Sequence, residues 1–136
     1  MKKKPYLIEF PKIGDSSIGF ISVVEFEKLL PFRPERVYWT YYTPESIVRG
    51  RHAHHNTEQV LIAVSGTILV HIETIEGELY SYKLEKPSQG IYIPPMAWHT
   101  MQYSHTAVQL IIASSKYDEA DYIRSYDAFC SLKNNI

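Results

Sequence analysis

Between residue 36 and residue 114 the chain runs through short apolar stretches separated by turn residues, a pattern of strands. Arg36-Val37-Tyr38-Trp39-Thr40-Tyr41-Tyr42 is rich in aromatic and β-branched residues, which suit a pleated, half-buried surface. Gln59 to Val64 and Thr67 to Glu73 are apolar runs joined through Ser65-Gly66, a hairpin signal. From Glu78 to Leu84 the pattern alternates: Leu79, Ser81 and Lys83 share one face, and Tyr80, Tyr82 and Leu84 the other. Gly90 to Ile93, Trp98 to Tyr103 and Val108 to Ser114 complete the series. Many short strands with regular turns predict an all-β sandwich or barrel. The tail changes period. Tyr122, Tyr126 and Phe129 recur at helical spacing, which predicts a helix from Asp118 to about Leu132 packed outside the barrel. A second, short helix is expected near Phe26 to Leu30, ahead of the chain-breaking Pro31 and Pro34.

Composition narrows the class. A length of 136 residues suits one domain, and at that size a core needs no disulfide or metal staple. The formal net charge of −1 supplies no field drawing the protein to nucleic acid or to an anionic membrane, so neither is expected as a partner. Lys2, Lys3 and Lys4 read as a solvated terminus. The lone Cys130 cannot form an intramolecular disulfide, which suits a reducing compartment, and no signal-peptide core or membrane-length apolar run occurs. A cytoplasmic location follows as the expectation. Eleven tyrosines, each an apolar body with a polar tip, suggest a wet interior or a subunit interface.

The chemistry concentrates in Val48-Arg49-Gly50-Arg51-His52-Ala53-His54-His55-Asn56-Thr57-Glu58. Residues two apart on a strand share a face, so His52 and His54 project together; Glu58 has the same parity and joins them if the chain stays extended. Ile93-Pro94-Pro95-Met96-Ala97-Trp98-His99 supplies a further histidine after a stiff turn. Three readings stand. The histidines are ordinary hydrogen-bonded residues; or His52, His54, Glu58 and His99 form a divalent-metal site; or the histidines move protons without metal near neutral pH.

Beyond these local readings, the chain resembles a family. Arg36-Val37-Tyr38, Arg49-Gly50-x-His52-Ala53-His54 and Glu58-Gln59-Val60-Leu61 look like the thymidine-diphosphate-sugar (TDP-sugar) 3,4-ketoisomerases. So do Gly90-Ile91-Tyr92, Trp98-His99 and the tail from Tyr117 to Asp127. The resemblance implies a single cupin domain, a double-stranded β-helix or jelly roll with a C-terminal α-helix. Its parts would be an N-terminal strand or arm over 1–14, a sandwich over 15–116, and helix and tail over 117–136. It implies conversion of TDP-4-keto-6-deoxyglucose to a 3-keto-6-deoxyhexose, on the way to 3-amino-3,6-dideoxy sugars of a lipopolysaccharide or S-layer glycan. No metal and no other cofactor are expected, and a homodimer is, with the N-terminal strand exchanged between subunits.

Residue by residue, the resemblance makes His52, His54 and Tyr38 catalytic: His52 as the base at carbon, His54 moving a proton between oxygens, Tyr38 as a donor. Arg49 would grip the diphosphate. Arg36, Glu58, His99 and Trp98 are further candidates for substrate binding, Glu58 by orienting a histidine. Two departures are evident. Asp15-Ser16-Ser17-Ile18-Gly19 stands where the family often has Asp-x-Arg-Gly, and Arg51 where it is often aromatic. The rivals are a sugar-nucleotide 3,5-epimerase, a metal-dependent cupin oxygenase using the His52, His54, Glu58 and His99 set, and a non-catalytic sugar-nucleotide binding module.

Overall fold

A computed structural model describes residues 3–135; Met1, Lys2 and Ile136, the ends of the basic run and of the tail, lie outside the described residues. Among the described residues twelve strands follow in order: β1 (Tyr6–Glu9), β2 (Lys12–Asp15), β3 (Gly19–Ser22), β4 (Arg36–Tyr41), β5 (Val48–His54) and β6 (Gln59–Ser65). Then come β7 (Ile68–Thr74), β8 (Leu79–Leu84), β9 (Gln89–Ile93), β10 (Ala97–Tyr103), β11 (Val108–Ala113) and β12 (Tyr122–Ile123), ahead of one helix, α1 (Tyr126–Lys133). Two five-stranded sheets form, in the orders β1-β9-β6-β11-β4 and β12-β5-β10-β7-β8, and β2 and β3 make a separate hairpin. All the pairings are antiparallel. This is the jelly-roll sandwich that the strand pattern and the family resemblance predict.

The sheets close on a core of Leu61, Ile68, Val70, Ile72, Leu84, Ile91, Ile93 and their neighbours. A second cluster covers the outer face of β6 and β9, where Val60, Ile62 and Tyr92 pack beneath Ile8, Phe10, Leu30 and Phe32. Burial on both faces explains why β6 reads as an unbroken apolar run. Leu30 belongs to this second cluster, and residues 26–30 are not helical. Phe26 and Leu30 form an isolated bridge, and Glu27 takes a left-handed conformation (φ 71°) that ends any helical turn.

The tail also departs from the expected helix. Asp118 does cap a turn, accepting from Ala120 N–H, but the turn is a single 3-10 turn over Glu119–Asp121. The chain then extends as β12, pairing Tyr122 with His54 and Ile123 with Ala53. Only beyond Ser125, whose hydroxyl accepts from Ala128 N–H, does α1 begin. Phe129 of α1 is fully buried with Ala53 and Ile123. Tyr126 and Lys133 both donate to the Glu73 carboxylate and hold the helix to β7. Among the described residues no helix is long and apolar enough to cross a membrane.

Candidate active site

The site lies between the two sheets, and its geometry starts from an irregularity in β5. Against β10 the register runs His99↔His52 and then Thr100↔Gly50, so Arg51 is an extra residue. Gly50 (φ 83°) and Arg51 (φ 55°) both lie in the left-handed region, as a bulge requires. A Cβ on Gly50 would stand 2.9 Å from the His99 carbonyl oxygen, so a side chain is excluded there. The bulge has a chemical consequence. Arg49 and His52 have opposite parity, yet the inserted residue turns both toward one cavity of about 70 Å³, which Tyr38, Gln59, His99 and Gln109 also line.

Beyond the bulge the strand is regular, and His52 and His54 share a face with ring centroids 5.0 Å apart. His99 reaches the same place from β10, 4.6 Å from the His52 ring. Each imidazole is oriented through Nδ1. His52 Nδ1 donates to the Gly50 carbonyl at 3.0 Å, His99 Nδ1 to the Ala97 carbonyl at 3.0 Å, and His54 Nδ1 to the Asp121 carboxylate at 3.2 Å. These acceptors have no proton to give, so the ring proton sits on Nδ1 and Nε2 keeps its lone pair. The Nε2 atoms of His52 and His54 are buried and have no hydrogen-bond partner in the protein. Two basic nitrogens are therefore left unoccupied by other side chains, that of His52 on a residue lining the cavity and that of His54 beside it.

Burial holds the histidines neutral. It pushes His52 below the ordinary imidazole value, against the opposing carbonyl of Gly50. It pushes His54 down to about 4, helped by His52, although Asp121 pulls the other way. His99, entirely enclosed, is pushed well below its ordinary value for the same reason. Asp121 is itself held below the usual carboxylate range: burial raises it, but hydrogen bonds from Thr57 and from the Asn56 N–H prevail.

The facing sheet contributes Tyr38 from β4. Gln59 Nε2 donates to the Tyr38 oxygen at 2.9 Å, which leaves the phenolic proton free to be given elsewhere. Burial raises that phenol to about 12, so at neutral pH it is a donor and not a phenolate. Arg36, two residues earlier on the same face, stacks its guanidinium over the Tyr38 ring at 5.0 Å. Tyr122 closes the side of the site, its ring 4.4 Å from His54 and 5.1 Å from His52. Arg124 lies over Tyr122 at 4.2 Å and is fixed by a forked pair to Glu119.

Two sequence candidates fall elsewhere. Glu58 does not orient a histidine: β5 ends at His54, the chain turns at His55 and Asn56, and the carboxylate instead accepts from Tyr92 Oη at 2.5 Å and Lys3 Nζ at 2.6 Å. Trp98 does not line the cavity of His52. Alternation along β10 turns it away from the His99 side, and it packs against Tyr126 and Phe129 beneath α1. Three site residues escaped the sequence reading: Asp121, Gln59 and Tyr122. Asp121 lies in the tail expected to be helical. Gln59 carried a faint signal, since its parity on β6 matches the core-facing Leu61.

One ring nitrogen from each of His52, His54 and His99 lies within 4.8 Å of the others. The three would suit a borderline divalent ion. The carboxylate of the four-residue metal set is missing from the cluster, because Glu58 is committed to Tyr92 and Lys3.

A family model described as "FdtA: WxcM-like, C-terminal" matches residues 3–134. The chain belongs to this family. A curated relative from Aneurinibacillus thermoaerophilus, TDP-4-oxo-6-deoxy-alpha-D-glucose-3,4-oxoisomerase, is 39% identical over 125 residues, covering 90% of this chain and 88% of the relative. Among solved structures, the sugar 3,4-ketoisomerase QdtA from Thermoanaerobacterium thermosaccharolyticum in complex with TDP matches with TM-score 0.91 and 34% identity. That match covers 99% of this chain and 98% of QdtA. A 3,4-ketoisomerase from Helicobacter canadensis matches with TM-score 0.89 and 33% identity, over 96% of this chain and 97% of its own. For a member of the FdtA-type family, the three imidazoles and Tyr38 are thus set in a fold shared with sugar 3,4-ketoisomerases.

Proposed function

We propose that this chain is a sugar-nucleotide 3,4-ketoisomerase that converts TDP-4-keto-6-deoxyglucose into a TDP-3-keto-6-deoxyhexose. The observation that carries this reading is the pair of adjacent neutral imidazoles, each with a free Nε2, the first of them lining one cavity with a protonated phenol. A histidine-to-asparagine variant of QdtA has been seen in complex with TDP-4-keto-6-deoxyglucose, the substrate proposed here.

The reaction moves two protons. The C3–H is acidified by the neighbouring C4 ketone, and His52 Nε2 takes it, leaving an enediolate across C3 and C4. Tyr38 donates its free O–H toward the developing charge on oxygen. His54, held neutral and pinned by Asp121, accepts the C3 hydroxyl proton at Nε2 and returns it to the C4 oxygen. Protonation of C4, after the proton taken by His52 has exchanged with solvent, completes the reaction, with the ketone now at C3 and no net change in redox state. Arg49, turned inward by the bulge, supports the diphosphate with its forked donors. His99 walls the site behind His52, and Arg36 fixes the Tyr38 ring.

The enzyme acts as a homodimer in the cytoplasm. Support for the dimer is the outer face of edge strand β4, where Val37, Trp39 and Tyr41 are each more than half exposed. The deciding experiment follows carbon and hydrogen together. NMR of the product formed in deuterated water is expected to show the ketone at C3 and deuterium on carbon. A ketone that stays at C4 would make the protein an epimerase. Replacement His52→Asn is expected to abolish turnover while TDP still binds, and full activity in that variant rejects the base assignment.

A further inference from the structure

The cavity that His52 and Tyr38 share extends past them to a polar pair with no role in the proton transfers. Gln109 of β11 is wholly buried (0% exposed), and neither its Nε2 nor its Oε1 has a partner. Tyr103 of β10, 4% exposed, carries a hydroxyl beside the Gln109 side chain, an approach that falls short of hydrogen-bond geometry and leaves both groups with capacity to spare, and both residues line the same cavity as His52. A buried amide left without partners costs on the order of 1–3 kcal/mol, so such a group in a well-packed sheet calls for an occupant.

Register places this pair. On the facing sheet, Ile111 stands opposite Tyr38 and Gln109 opposite Thr40, so Gln109 lies two residues, about 7 Å, along from the catalytic row. On the histidine sheet, His99 stands opposite His52 and Met101 opposite Arg49, with Tyr103 farther in the same direction. Gln109 and Tyr103 therefore belong to the Arg49 end of the cavity. No carboxylate or lysine lines it, and the pair offers neutral donors and an acceptor together. A hydroxyl, which both gives and takes a hydrogen bond, satisfies such a pair; an anion would leave the amide oxygen opposed.

We infer that Gln109 and Tyr103 form a subsite for the C2 hydroxyl of the hexose, and that this subsite selects 2-hydroxy over 2-deoxy sugar nucleotides. The inference rests on the ketoisomerase reading, and the substrate's own chemistry narrows it. A 4-keto-6-deoxyhexose nucleotide has two sugar hydroxyls, at C2 and C3, and the C3 hydroxyl is consumed at the histidines. C2 lies between C1, which carries the diphosphate, and C3, which reacts. Gln109 and Tyr103 lie toward Arg49 from His52 in the same sense. A site built to hydrogen-bond a hydroxyl rejects a ligand lacking it, because its buried polar groups are then left unpaired.

Calorimetry with TDP-6-deoxyglucose and its 2-deoxy counterpart tests the subsite apart from turnover. The wild-type protein is expected to bind the 2-hydroxy ligand at least about tenfold more tightly. Gln109→Leu and the milder Tyr103→Phe are each expected to bring the two ligands within about threefold, while affinity for TDP alone stays at the wild-type value. Equal binding of both ligands by the wild type overturns the inference, as does a preference that survives in both variants. Loss of TDP binding in both variants assigns the pair to structure and also overturns it. Absence of ketone migration in the wild type, with the tenfold preference intact, counts against the reaction and leaves the subsite standing.

Discussion

His54 and Asp121 are 67 residues apart in the chain and 3.2 Å apart in space, joined Nδ1 to carboxylate. The same carboxylate also accepts from the Thr57 hydroxyl and from the N–H groups of Asn56 and Thr57. One side chain thus fixes both the tautomer of an active-site imidazole and the turn that follows it. Asp121→Asn is expected to lower kcat by about 10- to 100-fold, as loss of an orienting partner commonly does, with KM little changed. It should also lower stability by about 1–3 kcal/mol through the unpaired turn N–H groups. Steady-state kinetics and urea titration together check this; unchanged kcat would show that His54 needs no fixed tautomer.

Acid acts on the buried histidines in one direction. His54 in the folded protein titrates at about 4, below the ordinary 6.5 expected when unfolded. Between those values the unfolded chain binds the proton and the folded one does not, so stability falls as pH drops through this window. His52 shifts the same way, so the acid limb of kcat/KM is expected below pH 6.5. No alkaline limb from Tyr38 is expected up to pH 10, since its phenol stands at about 12. A pH–rate profile with an acid midpoint at or above 7 would contradict a neutral, desolvated His52 base.

Gly50 is the residue on which the bulge depends. Gly50→Ala would place a methyl group against the His99 carbonyl at 2.9 Å, in a backbone conformation (φ 83°) that alanine resists. The strain is expected to cost on the order of 1–3 kcal/mol and to impair turnover, because the strained segment carries Arg49 and His52 on either side. Arg51→Gly, at an exposed left-handed position (φ 55°), is expected to change stability by less than about 1 kcal/mol. Thermal melts of the two variants make the comparison, and equal melting temperatures would remove the bulge from the account.

Trp39 is 60% exposed on the outward face of β4, between Val37 and Tyr41. If a second copy covers this stripe, Trp39→Glu buries a charge at the interface and converts the dimer to a monomer at micromolar concentration. Light scattering reads the mass directly. A wild-type monomer, or a variant that remains dimeric, would place the interface elsewhere.

Local geometry made part of this protein legible from its residues alone. The alternation of strands has a period of two, so His52 and His54 had to share a face wherever β5 came to lie, and Tyr38 had to share one with Arg36. The apolar run of β6 and the tyrosine alternation of β8 likewise announced strands, because burial writes itself into neighbouring positions. The same alternation set Trp98 and His99 on opposite sides of β10, a signal sufficient to separate packing from site.

What local pattern cannot carry is a contact made across the fold. Asp121 became the partner of His54 because β12 pairs with β5, and that pairing overrode the helical spacing of Tyr122 and Tyr126. Arg49 entered the cavity because Arg51 is unpaired against β10, a fact about a neighbouring strand that parity within β5 contradicts. Glu58 left the histidines because the chain turned after His54, where the turn's own N–H groups found a carboxylate to bind. Periodicity decides which side chains travel together; hydrogen bonds between distant segments decide what they meet.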